Sequence, residues 1–195
     1  MDYGNTATFR TLLNPTPGQY IGIDISPGQG VDRVVDLTAD FARIRRKLPE
    51  TFNTVFCLSV LEHCPDPFLM ARHIEALLNP GGHLYVSVPF AWRIHEYPKD
   101  YWRFTPDGIR TLFAEVDFLP EACAYHSTAV GKFHPAGELP PRIDPTFGAL
   151  KPRFGALAAF SVGVLRTLGI GREIFRHHYL FPPVQLNMIG RKQKE

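Results

Sequence analysis

Four short apolar runs between residues 20 and 88 constrain the fold of this chain more than any other feature of its sequence. Each run has the length of a β-strand, and they comprise Tyr20–Ile25, Val31–Leu37, Thr54–Ser59 and His83–Val88. Residues 67–78 carry apolar side chains at helical spacing, and Asn79-Pro80-Gly81-Gly82 predicts the end of that helix. Near-continuous apolar strands that alternate with helices predict an α/β fold, with a mostly parallel sheet covered by helices on both faces.

The length of 195 residues fits a single domain of ordinary size. Five prolines between residues 135 and 152 predict an irregular loop, because proline removes a backbone donor and fixes φ. We therefore expect one domain over 1–195, in which 131–183 form a proline-rich loop and a helical insertion before the last strand. Three later elements are predicted: a helix at Pro106–Ala114 with Thr105 as its N-cap, a strand at Ala122–Val130 and the last strand at Val184–Arg191.

Charge and composition exclude several classes of protein. The chain has 21 Lys and Arg against 19 Asp and Glu, and a net charge of +2 gives no strong field for nucleic acid. No apolar run approaches the ~18 residues of a membrane span. The first residues lack the pattern of a signal peptide. The three cysteines form no CxxC pair, which favours reduced thiols. We expect a cytoplasmic protein with no transmembrane segment and no nucleic-acid partner.

Acidic residues end the first two predicted strands, at the edge where open parallel sheets bind ligands. Asp24 lies at the end of the first run, where a carboxylate can accept hydrogen bonds from both hydroxyls of a ribose or can cap the Ser-Pro-Gly turn. Asp36 and Leu37 end the second run, where they can bind the amine and the ring of an adenine. Asp36 can equally cap the following turn, so both interpretations stay open.

Four stretches, in order and at similar intervals, resemble the class I S-adenosylmethionine-dependent methyltransferases, specifically the type 11 methyltransferase domain. They are YIGIDIS at 20–26, VVDL at 34–37, FNTVFCLSVLEHCPDP at 52–67 and LLNPGGHLYVSVP at 77–89. The resemblance implies a Rossmann-like fold and S-adenosylmethionine as the cofactor, with its ribose at Asp24 and its adenine at Asp36 and Leu37. The implied cofactor site comprises Asp2, Gly4, Asp24, Ile25, Asp36, Leu37, Ser59, Val60 and His63.

The first motif of the family is degenerate in this chain. In the family, an acid-x-Gly-x-Gly-x-Gly loop follows the first strand, and the nearest counterpart here keeps only Asp2 and Gly4. The strand before that loop has no counterpart, so its two neighbours would lack a partner, and buried unpaired backbone groups are costly. Either upstream residues are missing from this sequence or the sheet is rearranged, and the sequence leaves both alternatives open.

His95 and Asp100 are the candidate catalytic residues, because they follow the fourth predicted strand, where the family places substrate contacts. Methyl transfer needs a general base only when the acceptor arrives protonated, and a histidine oriented by an acid supplies one. The alternative is a structural lid, buried by its aromatic residues and with Arg103 paired to an acid. His63 is a second candidate base, or it makes a hydrogen bond at a helix entry.

The sequence predicts methyl transfer to a small-molecule, glycan or lipid-precursor acceptor. No metal site is expected, because His63-Cys64 and His177-His178 lack further ligands at metal spacing. The degenerate first motif favours one alternative, a non-catalytic binding or scaffold protein. In that case exposed sheet edges would pair with another chain, and we would expect a homo-oligomer.

Overall fold

The computed structural model describes residues 20–96, 99–127, 132–138, 164, 167–168 and 183–194. Asp2 and Gly4 lie outside these residues, as does most of the predicted insertion over 131–183. The described strands are β1 (Ile23–Asp24), β2 (Arg33–Val34), β3 (Phe52–Leu58), β4 (Leu78–Ala91), β5 (Val116–Phe118), β6 (Ala124–Ser127), β7 (Lys132–Pro135) and β8 (Val184–Lys192). The described helices are α1 (Phe41–Lys47), α2 (Pro67–Leu77) and α3 (Pro106–Leu112), with 3-10 turns at Leu61–His63 and Pro120–Ala122.

The described strands form two sheets. In the first, β1 pairs in parallel with β2, and in the second the order is β3-β4-β8-β6-β7, with β5 also paired to β8. The pair β3-β4 is parallel, whereas β4-β8, β5-β8, β6-β8 and β6-β7 are antiparallel. The predicted α/β class is confirmed, and the four strands predicted from the apolar runs pair in parallel within each sheet.

The position between the two described sheets corresponds to the first strand of the family. Among the described residues, β1 pairs only with β2, and β3 pairs only with β4. These two edges are the ones that the first strand of the family would join, and the residues before Tyr20 lie outside the described part of the chain. The first sheet is held instead by a small apolar cluster, in which Val35, Ile44 and Leu48 pack against Leu77 of α2.

The three helices α1, α2 and α3 each begin at a polar cap that the sequence provides. Asp40, Asp66 and Thr105 accept hydrogen bonds from backbone amides in the first turns of α1, α2 and α3. The cap at Thr105 is the predicted one. The apolar faces of α2 and α3 then bury Ile74 and Ile109 in the main core, which also contains Leu84 of β4 and Leu186 of β8. This packing fixes the ends of β3 and β4, where the candidate catalytic residues follow.

Two differences from the predicted elements have local causes. β4 extends from Leu78 to Ala91, so Asn79-Pro80-Gly81-Gly82 ends α2 as predicted but lies within the strand, where the pairing with β3 shifts register. β5 and β7 are three and four residues long, too short for a periodic signal, and the sequence did not predict them. Across the part of the chain that the structure describes, no helix has the length and apolar character of a membrane span.

Gly22 gives a test of how β1 is held. A Cβ at this position would lie 2.0 Å from the carbonyl oxygen of Gly30, which is backbone and has no rotamer to change. The carbonyl oxygen of Gly22 also accepts hydrogen bonds from the amides of Asp32 and Arg33. We expect Gly22→Ala to lower the free energy of unfolding by about 1–3 kcal/mol, measured by urea denaturation, because the loop must move.

The control is Gly28→Ala in the loop between β1 and β2, where a Cβ would meet its nearest atom at an ordinary 3.8 Å. This variant should match the parent within about 0.5 kcal/mol. Equal unfolding free energies for the two variants would contradict the assigned packing of the loop before β1.

Candidate functional site

The parallel pairing of β1 and β2 brings Asp24 and Asp36 to the same edge of the first sheet. Asp24 is the register partner of Val34, and its carbonyl oxygen accepts a 2.8 Å hydrogen bond from the amide of Val35, one residue before Asp36. Both acidic residues are exposed. The backbone pairing therefore places the two acidic strand ends side by side, as predicted.

Each carboxylate also caps the turn that follows it. Oδ1 of Asp24 accepts from the amide of Ser26 at 2.8 Å, and Oδ1 of Asp36 accepts from the amide and the hydroxyl of Thr38 at 2.8 and 2.6 Å. The bonds from Thr38 hold the pKa of Asp36 below its usual value, so this group is a carboxylate at neutral pH. Within the described residues Oδ2 of each acid makes no hydrogen bond, which leaves one oxygen of each for a ligand.

A cavity of about 180 Å³ opens beside β2, and Ile25 and Asp36 line it. Its remaining lining is apolar and basic: Val34, Val35, Ala39, Arg43, Ile44 and Lys47. Leu37 is half-buried and packs against both core clusters rather than lining this cavity. Of the predicted adenine contacts, Asp36 thus faces open space and Leu37 contributes to packing.

The end of the second strand lies close to the segment after β3. The carbonyl oxygen of Leu37 is 2.8 Å from Nδ1 of His73 in α2. Burial raises the pKa of the Cys64 thiol, and the nearby carboxylates of Asp66 and Asp36 raise it further. Asp36 therefore acts electrostatically on Cys64, directly after the 3-10 turn that contains His63.

Ser59, the residue after β3, has a left-handed backbone with φ of 52°. This conformation costs a non-glycine residue roughly 1–2 kcal/mol, so neighbouring contacts must hold it. The amide of Ser59 donates to the carbonyl of Ser87 at 2.8 Å, and its hydroxyl accepts from the side-chain amide of Gln185 at 3.0 Å. Val60 follows with 41% of its surface exposed. The turn thus presents Val60 to solvent at the carboxyl end of β3.

His95 and Asp100 form the predicted pair. Oδ2 of Asp100 lies 3.1 Å from Nδ1 of His95 and accepts from the backbone amide of the same residue at 3.0 Å. The side chain of Asp100 is 1% exposed, whereas that of His95 is 26% exposed. A buried acid thus orients a partly exposed imidazole, which is the arrangement of a histidine base and its positioning residue.

Arg103 neutralises the buried Asp100. Its two terminal nitrogens donate to both carboxylate oxygens, with 2.7 Å between Nη2 and Oδ2. The guanidinium also donates to the carbonyls of Trp92 and Arg93, which fixes the chain after β4. The Arg103 guanidinium holds the pKa of Asp100 well below its usual value, so Asp100 stays ionised. The predicted pairing of Arg103 with an acid is present together with the His95-Asp100 contact.

His63 and Glu62 approach this pair from the 3-10 turn after β3. Nδ1 of His63 is 2.7 Å from the carbonyl oxygen of Lys99, and its ring packs edge-on against that of His95 with centroids 5.0 Å apart. Glu62 is 1% exposed, and burial raises the pKa of its carboxyl. Ligand atoms of Glu62, His63 and His95 all lie within 4.8 Å of one another.

Sequence reasoning did not select Glu62 or Gln185 as site residues. Glu62 belongs to the Leu-Glu-His stretch, but nothing local to it shows that its side chain is buried beside two histidines. Gln185 lies beside Ser59 because β8 pairs with β4, although Gln185 and Ser59 are far apart in the sequence. The alternating pattern of β8 predicts a strand, yet it carries no signal for this contact.

The fold and the site together define a class of protein. The structure superposes on a SAM dependent methyltransferase from Archaeoglobus fulgidus with a TM-score of 0.51 and 14% sequence identity, covering 95% of this chain and 81% of that chain. At this identity the likeness shows the Rossmann-like α/β fold alone. Residues 4–119 match the model of the methyltransferase domain family. The chain belongs to that family and thereby to the class I methyltransferases, whose cofactor is S-adenosylmethionine.

Curated relatives match shorter stretches. The chain is 40% identical over 63 residues to the ubiquinone biosynthesis O-methyltransferase of Xanthomonas euvesicatoria, over 32% of this chain and 25% of the relative. It is 44% identical over 39 residues to the protein of the same name from Aliivibrio fischeri, over 20% of this chain and 17% of the relative. The matched stretches thus span a quarter or less of these relatives.

Two arginine–aspartate pairs allow a test of how much the buried Asp100–Arg103 contact contributes to the free energy of unfolding. Arg103→Lys removes the paired hydrogen bonds to Asp100, because lysine presents a point charge rather than a planar fork. We expect the free energy of unfolding to fall by about 1–3 kcal/mol in a urea titration.

Arg110→Lys is the matched control, since Arg110 pairs with Asp107 at the same spacing but with both side chains exposed. It should change the free energy of unfolding by less than about 0.5 kcal/mol. A loss at Arg110 equal to that at Arg103 would contradict the role given to the Asp100-Arg103 pair.

Proposed function

We propose that this chain binds S-adenosylmethionine at the carboxyl ends of β1–β4 and transfers its methyl group to an oxygen of a small-molecule, glycan or lipid-precursor acceptor. The observation that carries the proposal is the side-by-side placement of Asp24 and Asp36 on parallel strands. Family membership supports the cofactor. The names of the curated relatives, which are O-methyltransferases, support an oxygen acceptor.

The cofactor is proposed to lie across the edge of the first sheet toward Ser59. Oδ2 of Asp24 accepts hydrogen bonds from the ribose hydroxyls, and Oδ2 of Asp36 accepts one from the adenine amine, since each acid already uses Oδ1 within its own turn. Ile25, which lines the cavity beside Asp36, supplies apolar contact to the adenine, while Leu37 packs behind it against the core. Ser59, Val60 and His63 border the methionine end, and Asp2 and Gly4 would complete the site from the first motif.

The proposed chemistry is an in-line displacement at the methyl carbon. The acceptor oxygen forms a bond to that carbon as the bond from carbon to the sulfonium sulfur breaks, and S-adenosylhomocysteine leaves. Most of the rate enhancement comes from holding the two reactants aligned. The proton of the acceptor hydroxyl passes to Nε2 of His95, because acceptors surround Nδ1 and leave it protonated. Asp100 stabilises the imidazolium that forms.

Two further proposals concern the setting of this activity. The described cysteines Cys57, Cys64 and Cys123 are buried and form no disulfide, which supports a reducing compartment such as the cytoplasm. The edges of β1 and β3 have no strand partner among the described residues, which supports pairing with a second copy of the chain.

Calorimetric titration with S-adenosylhomocysteine tests the cofactor site. We expect Asp24→Asn to weaken binding by about 10–100-fold, since a hydrogen bond to a charged group contributes about 1.5–3 kcal/mol. Asp107→Asn, an exposed acid in α3, should leave the affinity unchanged. Absence of heat from the parent protein at millimolar ligand would overturn the proposed function.

Turnover tests the proposed base. S-adenosylhomocysteine release is measured with a panel of hydroxyl-bearing small molecules, glycans and lipid precursors. With an accepted substrate, we expect His95→Gln to lower kcat by about 10²–10⁴-fold without changing the affinity for S-adenosylhomocysteine. His83→Gln on the exposed face of β4 is the control and should retain kcat.

The outcomes of this test are distinct. Cofactor binding without turnover on any acceptor would favour the non-catalytic binding protein, and full turnover by His95→Gln would exclude His95 as the base.

A further inference from the structure

Three side chains from two segments of the chain converge on one point near the end of β4. Glu62 and His63 come from the 3-10 turn after β3, and His95 comes from the loop after β4. One ligand atom of each lies within 4.8 Å of the others. A carboxylate with two imidazoles is a donor set that zinc and other divalent transition metals bind in proteins.

On both histidines, Nδ1 lies against an acceptor. Nδ1 of His63 contacts the carbonyl oxygen of Lys99 at 2.7 Å, and a carbonyl only accepts, so Nδ1 carries the proton. Nδ1 of His95 lies between the carboxylate of Asp100 and the carbonyl oxygen of Arg93, at 3.1 and 3.3 Å, which are again acceptors. Each ring therefore keeps its lone pair on Nε2. Metal-binding histidines have this arrangement, in which an outer acceptor fixes the tautomer.

Glu62 gives the second, independent observation. Its side chain is 1% exposed, and among the described residues its Oε2 atom is buried without a hydrogen-bond partner. Its Oε1 atom lies 3.9 Å from Nε2 of His63, too far for a hydrogen bond. A buried carboxyl oxygen without a partner is costly, and a cation between Glu62 and the two imidazoles would satisfy it.

We propose that Glu62, His63 and His95 bind one divalent transition-metal ion, with zinc as the first candidate. The ligands are a carboxylate oxygen of Glu62 and the Nε2 atoms of the two histidines, and Asp100 and the Lys99 carbonyl are the outer partners. Ligand atoms around tetrahedral zinc lie roughly 3.3 Å apart, so the side chains close by up to about 1.5 Å on binding. Three protein ligands leave a fourth position open.

Metal binding changes the role of His95. An Nε2 atom that is bound to a metal has no lone pair for the proton of the acceptor, so zinc is expected to inhibit the methyl transfer proposed above. This consequence rests on the proposed function, whereas the metal site itself rests only on the three side chains. The two are separated by measuring binding and turnover independently.

The binding experiment uses the full chain after dialysis against EDTA, titrated with zinc by calorimetry and checked by elemental analysis. We expect one zinc per chain with a dissociation constant of about 1 μM or lower. Cobalt provides a second probe, because coordination in this site should give visible absorption bands that are absent for cobalt in buffer.

Three variants remove one ligand each: Glu62→Gln, His63→Gln and His95→Gln. Each should weaken zinc binding by at least about 100-fold and abolish the cobalt bands, while His83→Gln, an exposed histidine in β4, keeps both. Circular dichroism confirms that each variant is folded, and His95→Gln, on the partly exposed loop, is the variant to use if Glu62→Gln does not fold. Zinc binding that is absent, or that survives His95→Gln unchanged, would overturn the proposal even if S-adenosylhomocysteine binds.

Discussion

Parallel strand pairing is the constraint on which the rest of this site depends. In a parallel pair the carboxyl ends of both strands lie at one edge, so the residues that follow them are neighbours whatever their separation in sequence. The pair β1-β2 brings Asp24 beside Asp36, and the pair β3-β4 brings the turn with His63 beside the loop with His95. One feature of the backbone, the parallel pairing of strands, thus places both sets of side chains. These are the acidic groups that can hold an adenosyl group and the imidazoles that can act on an acceptor.

A buried ion pair then fixes the loop that carries His95. Asp100 is almost fully enclosed and ionised, which is tolerated because Arg103 contacts both of its oxygens. The same guanidinium holds two backbone carbonyls after β4. The two interpretations of this segment, a structural lid and a catalytic pair, are therefore compatible: the pair with Arg103 builds the loop, and the remaining contact of Asp100 orients His95.

Local signals allowed much of this to be predicted from the sequence. The apolar runs give β1–β4, the cap at Thr105 gives α3, and the acids at strand ends give Asp24 and Asp36 together with the turns they cap. Long-range contacts account for what was missed. The antiparallel position of β8 beside β4 places Gln185 next to Ser59, and the burial of Glu62 beside two histidines depends on packing that no short stretch of sequence records.

The central claim, that an adenosyl group binds at the edge of the first sheet, is tested most directly by a crystal structure of the protein with S-adenosylhomocysteine. The account predicts density in which the ribose hydroxyls lie within hydrogen-bond distance of Oδ2 of Asp24, the adenine amine lies near Asp36 and the sulfur points toward Ser59 and His95. Density for the ligand on another face, or bound in a way that leaves both Asp24 and Asp36 in solvent, would contradict it.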